Sequence, residues 1–78
     1  MPTREFVIRS GADLGRTIAE ARVERGMTQA DLARRSQIDR TYLTRLERGQ
    51  TVQQVNRALD LLRTLGVSVT ATMDATDG

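Results

Sequence analysis

Apolar positions recur along the chain with two different periods. Between Ser10 and Gly66 they return every three or four residues, as on one face of a helix; beyond Gly66 they alternate, as on a strand. Capping residues and glycines cut the first stretch into four helices. Ser10 and Asp13 form an S-x-x-D box that predicts a helix from Gly11 to Arg25, with Gly26 ending it in the left-handed conformation. Thr28 and Asp31 repeat the box and open a short helix from Gln29 to Arg35. Asp39 caps a third, Arg40 to Arg48, stopped by Gly49. Thr51 and Gln54 open a fourth, Val52 to Leu65, stopped by Gly66. In the strand that follows, Val67, Val69, Ala71 and Met73 share one face, and Ser68, Thr70 and Thr72 the other. The stretch Glu5 to Arg9, rich in Phe, Val and Ile, reads as a second strand with which the first can pair. The polar tail, residues 74 to 78, is expected to fray.

Only four residues, Ser36 to Asp39, separate the second and third helices. That spacing predicts a helix-turn-helix if Leu32, Ala33, Ile38, Leu43 and Leu46 share one core, with Ala33 allowing a close crossing and Ile38 plugging the turn. Arg40, Thr41, Thr44, Arg45 and Arg48 are then left on the outer surface of the third helix. A helix fits the major groove, Arg can bond guanine bidentately, and Thr can offer a hydroxyl to a base edge or a methyl to thymine. The bland alternative is a solvated helix face. Tyr42 divides between the edge of the core and a phosphate contact. Arg22 follows Leu14 and Ile18 on the apolar face of the first helix, and Glu47 follows Leu43 and Leu46 on the inner face of the third. Opposite charges on facing stripes suggest a buried ion pair, against the alternative that both side chains snorkel to solvent.

Composition narrows the function classes. The 78 residues, 38% hydrophobic, allow one domain over 1–78, with a core at 10–66, and such a short chain buries only about 60 to 65% of its unfolded surface. With no Cys and no His, disulfides, the usual zinc sites and nucleophiles that need either residue are excluded. No enzyme and no cofactor are expected, and self-association is left as the support for a small core. All twelve basic residues are Arg, and the net charge of +2 is unevenly spread: residues 28 to 57 carry six Arg against three acids, residues 58 to 78 one Arg against three. Guanidinium groups in the middle of the chain suit phosphate and the guanine edge. The only aromatics, Phe6 and Tyr42, make no stacking platform for single strands, while duplex binding remains open. No apolar run is long enough to span a membrane, and Met1 to Ser10 is too short for a signal peptide, so a cytoplasmic location is expected.

The run GMTQADLARRSQIDRTYLTRLERGQT resembles the helix-turn-helix core of the lambda Cro and repressor superfamily: T-Q opens the second helix, L-A lies within it, and L-x-x-L-E-x-G closes the third. The flanks LGRTIAEARVERG and VNRALDLLRTLGVSVTATM resemble its HipB-type branch, whose small repressors act as antitoxins beside a kinase-like toxin and repress their own operon. The resemblance covers residues 10 to 73. It implies a mainly α, lambda-repressor-like domain of four helices, with a C-terminal strand in place of a fifth. It also supports the Arg22 and Glu47 pair. It sets Thr28 and Gln29 against a phosphate, Arg40, Thr41, Thr44 and Arg45 against base edges, and Arg48 and Gln50 against the backbone. One departure stands out. The turn position usually occupied by glycine is Gln37, so either this residue takes a positive φ at about 1 kcal/mol or the turn differs in shape.

These readings predict a homodimeric, sequence-specific repressor on a pseudo-palindromic operator. Its competitor is a protein-binding module that neutralises a HipA-like kinase toxin, with DNA contact secondary; a stand-alone regulator is the third possibility. A lone half-apolar strand invites pairing. Residues 67 to 73 are therefore expected to form an intersubunit sheet, the Phe6 to Ile8 segment extending it. Val52, Val55, Leu59 and Leu62 turn into the domain, while Leu61 and Leu65 lie off that stripe and join Val67, Val69, Ala71 and Met73 at the dimer contact.

Overall fold

The computed structural model describes residues 3–50 and 52–74. Along the chain run β1 (Arg4–Val7), α1 (Gly11–Glu24), α2 (Gln29–Ser36), α3 (Arg40–Glu47), α4 (Gln53–Thr64) and β2 (Thr70–Met73). Local chemistry sets most boundaries. Ser10 Oγ accepts the Asp13 N–H at 3.2 Å at the start of α1. Thr28 and Asp31 complete a reciprocal capping box on α2. Asp39 Oδ1 takes the Thr41 N–H at 2.7 Å on α3. The fourth helix differs from the sequence expectation. It starts at Gln53, one residue later than expected, with Val52 at its N-cap and no side-chain cap bond; Thr51, the cap expected there, lies outside the described residues, as does the tail beyond Asp74.

The helices pack as α1 on α3, α2 on α3 and α1 on α4. Leu43, only 1% exposed, sits at the centre, with Ile8, Ala33 and Val52 also buried. Leu32 and Leu46 are half-buried. Ile38 does not plug the turn: it is 38% exposed, its backbone N–H closing the end of α2 on Ala33 O at 3.0 Å. Gln37 itself takes φ 58° and ψ 41°, the one non-glycine residue with positive φ among those described. At Gly15 the first and third helices touch backbone to backbone, since a Cβ there would overlap the carbonyl oxygen of Leu46. The slab measures 38 × 34 × 17 Å, so its short dimension is less than two helix diameters, and few side chains can be fully covered.

The two strands pair with each other, antiparallel, setting Arg4 opposite Met73 and Val7 opposite Thr70. Strand pairing therefore occurs within the chain, and β2 is shorter than the alternation suggested. Val67 and Val69 precede it outside the ladder: the Val67 N–H closes the end of α4 on Leu62 O at 2.8 Å, and Val69 O accepts the Ile8 N–H at 3.0 Å. Val69, Ala71 and Met73 are half-buried and alternate with exposed Thr70 and Thr72. Asn56 Oδ1 accepts the Gly11 N–H at 2.6 Å and so anchors the first turn of α1 to α4.

Candidate nucleic-acid interface

The capping interactions aim α2 and α3 as a pair. At the start of α2, the Thr28 hydroxyl accepts the Asp31 N–H at 3.0 Å while Asp31 Oδ2 accepts the Thr28 N–H at 3.0 Å. The bonds from the Thr28 backbone and side chain, with a smaller contribution from Arg34, hold the Asp31 carboxyl below its ordinary range. Thr28 thus uses one of its two hydroxyl lone pairs on the helix end. At the start of α3, the Asp39 cap fixes Arg40 and Thr41 in the first turn, both exposed. Arg45 and Arg48 are exposed further along, Arg48 at the C-cap. Gln50 is exposed just beyond, its N–H on Arg45 O at 2.8 Å. Tyr42 is 49% exposed.

Beneath this surface lies a polar relay. Arg22 of α1 meets Glu47 of α3 through two parallel bonds, Nε to Oε2 at 2.8 Å and Nη2 to Oε1 at 3.0 Å, with side-chain exposures of 15% and 6%. Its remaining Nη1 donates to Met27 O at 2.8 Å. Burial alone would push the Glu47 carboxyl up; bonds from Arg22 and Gln29, with the Arg22 charge, outweigh it and hold the group below the usual carboxylate range. The bond from Glu47 raises Arg22 further above its already high value against the opposing effect of burial. Gln29 Nε2 donates to Glu47 Oε1 at 2.9 Å, and Gln29 Oε1 accepts the Thr44 hydroxyl at 2.9 Å. Every buried side-chain polar atom among the described residues has a partner. The relay runs from α1 through α3 to the first residue of α2 and back to the middle of α3.

Two expected contact residues are therefore committed within the protein. Thr44 is half-buried with its hydroxyl proton on Gln29, and Gln29 is half-buried between Thr44 and Glu47. The arginines are not. Among the described residues, Arg4, Arg16, Arg22, Arg34 and Arg63 hold carboxylates, whereas Arg40, Arg45 and Arg48 hold none, as is also true of Arg9, Arg25, Arg35 and Arg57 elsewhere on the molecule. Stripe reasoning can place Arg22 and Glu47 on facing surfaces. The Gln29 to Thr44 bond and the Asn56 tether depend on how the helices are rotated against one another, and no spacing in the sequence marks them.

At the opposite end of α4, Leu61 is 67% exposed, Leu65 75% and Val67 47%. No helix among the described residues is long and apolar enough to cross a membrane.

A family model described as helix-turn-helix matches residues 18–71, from the middle of α1 into β2. No curated protein and no solved structure matches the chain at a significant level.

Proposed function

The chain belongs to the helix-turn-helix family of Cro/C1 type, whose members are sequence-specific DNA-binding regulators, and from that premise we propose that it is a homodimeric repressor of HipB-like antitoxin kind acting on its own operon in the cytoplasm. The observation that carries the DNA reading is the group of exposed guanidinium side chains Arg40 and Arg45 on α3 and Arg48 at its C-cap, gathered on one element and holding no carboxylate among the described residues. A cation without a carboxylate partner keeps its charge available to phosphate or to a guanine edge. Arg40 and Thr41 lead the helix toward the bases, with Thr44 and Arg45 one turn on. Thr28, Gln29, Arg48 and Gln50 flank them toward the backbone. At the head of α2 the second Nε2 hydrogen of Gln29 is uncommitted, beside backbone N–H groups that favour an anion.

Dimerisation is proposed through the exposed leucines Leu61 and Leu65, Val67, and the edge of β2 that β1 does not use. Antiparallel pairing of that edge with its copy about a two-fold axis gives a four-stranded sheet. Val69, Ala71 and Met73 turn their side chains onto their own chain, so their share in this contact is the backbone edge. The kinase-like toxin partner rests on the resemblance of the flanking segments to the HipB-type branch. The test is footprinting on the upstream region of the protein's own gene. Protection of a pseudo-palindrome with half-sites about 10 base pairs apart, or a multiple of it, is expected; absence of salt-dependent binding to any duplex overturns the reading. Inhibition of the product of the adjacent reading frame tests the antitoxin role separately.

A further inference from the structure

The relay that ends at Thr44 fixes which way its hydroxyl points, and the order of the donors leaves no choice. Glu47 is an ionised carboxylate bonded by Arg22 and can only accept. The Gln29 amide must therefore turn its nitrogen to Glu47, which turns its oxygen to Thr44. An amide oxygen also only accepts, so the Thr44 hydroxyl must donate to it. Its one proton is spent. Thr44 stands in the middle of the exposed stripe of α3, one turn after Arg40 and Thr41 and one turn before Arg48. Fixing Oγ1 also fixes the rotamer, and with it the methyl of this β-branched side chain.

Resting on the DNA-binding reading above, we infer that Thr44 is a specificity-determining residue that reads an A·T pair, with its hydroxyl oxygen accepting from the adenine N6 amine and its methyl against the thymine C5-methyl. An oxygen that can only accept finds a donor on adenine N6 or cytosine N4 and none on the major-groove edge of guanine; only the A·T pair adds a methyl beside the donor. Thr44 would otherwise be ambivalent, because a free hydroxyl both gives and takes. The buried ion pair removes that ambivalence from a distance, through Gln29.

The full chain is used to enrich duplexes from a random pool, in parallel with Thr44→Val, which keeps the shape and methyl but lacks the oxygen, and Thr44→Ser, which keeps the oxygen but lacks the methyl. The wild-type protein is expected to enrich A·T at one position of each half-site where the variants relax. Deleting the N6 amine of that adenine should weaken wild-type binding about 3- to 10-fold, the range of one net hydrogen bond, and leave Thr44→Val unaffected. Thr44→Ser should keep the amine dependence and lose sensitivity to deoxyuridine in place of thymine. Identical base preferences and amine responses in all three proteins overturn the inference while leaving the regulator reading intact. So does a guanine at that position whose O6 and N7 are needed for binding, because Thr44 would then be donating. Enrichment of no duplex by the wild-type protein overturns the DNA-binding reading itself.

Discussion

Arg22 and Glu47 close a bidentate ion pair between α1 and α3, with both side chains largely out of water. Removing one partner strands the other charge. Glu47→Gln is expected to cost about 3 to 5 kcal/mol in denaturant titration, and because Gln29 also rests on Glu47, the substitution should weaken operator binding even where the protein remains folded. A loss under 1 kcal/mol would mean that the pair is solvated in solution.

Acid should act through the same carboxyl. Glu47 in the folded protein is held below its value in the unfolded chain, so the unfolded state takes up the proton first. The stability it contributes is complete above the ordinary carboxylate range and is lost as pH falls through the lower, folded value. Asp31 acts in the same direction. Denaturant midpoints measured from pH 7 downward should decline in that window for the wild-type protein, and the decline should be shallower for Glu47→Gln.

Gly15 is expected to tolerate nothing larger. A Cβ there meets the backbone carbonyl of Leu46, which no rotamer change can move aside, so α1 and α3 must separate. Gly15→Ala should cost about 1 to 3 kcal/mol or more by thermal unfolding, and should also loosen the Arg22 and Glu47 geometry beside it.

The turn offers the opposite case. Gln37 holds a left-handed backbone conformation that disfavours a side chain. Gln37→Gly should be neutral to stabilising, by up to about 1 kcal/mol, the relief of strain being partly offset by the greater freedom of glycine in the unfolded chain. A clear loss of stability in the melting curve would show that the Gln37 side chain contributes contacts that outweigh the strain.

Arg40→Ala and Arg45→Ala should each cost about 1 to 3 kcal/mol on the enriched site and little on random duplex. Equal losses on both would reduce them to phosphate contacts. Leu61→Glu with Leu65→Glu should yield a folded monomer in sedimentation at micromolar concentration, because both side chains are exposed in the single chain. A dimer that survives this double change is held elsewhere.

What the sequence disclosed was the chemistry that acts within a turn or along one face. Ser10, Thr28 and Asp39 are caps because their side chains reach N–H groups two or three residues away. Arg22 and Glu47 could be paired because each sits on a readable stripe. Gln37 was flagged by the resemblance, which puts glycine at that position of the turn. The misread positions depend on partners distant in sequence. Ile38 looked like a plug, but its burial is set by the angle between α2 and α3. The alternation after Gly66 marked a strand from Val67, yet β1 is only four residues long and leaves Val67 to Val69 without a ladder. The internal bonds of Thr44 and Asn56 were silent because their partners, Gln29 and Gly11, meet them only across packed helices.

The register that sets Arg4 opposite Met73 has a kinetic consequence. Contacts among α1, α2 and α3 join neighbouring segments, whereas the β1–β2 ladder must close a loop of nearly the whole chain, at an entropic cost that grows with the logarithm of its length. The helices should therefore assemble first, with the ladder as a late clasp and the first element to let go. Native-state hydrogen exchange should find the Ile8 amide, bonded to Val69 O, opening well before that of Leu43, bonded to Asp39 O. If a second copy pairs along β2, that opening becomes dependent on protein concentration, so the tightness of the clasp would report how much of the protein is present.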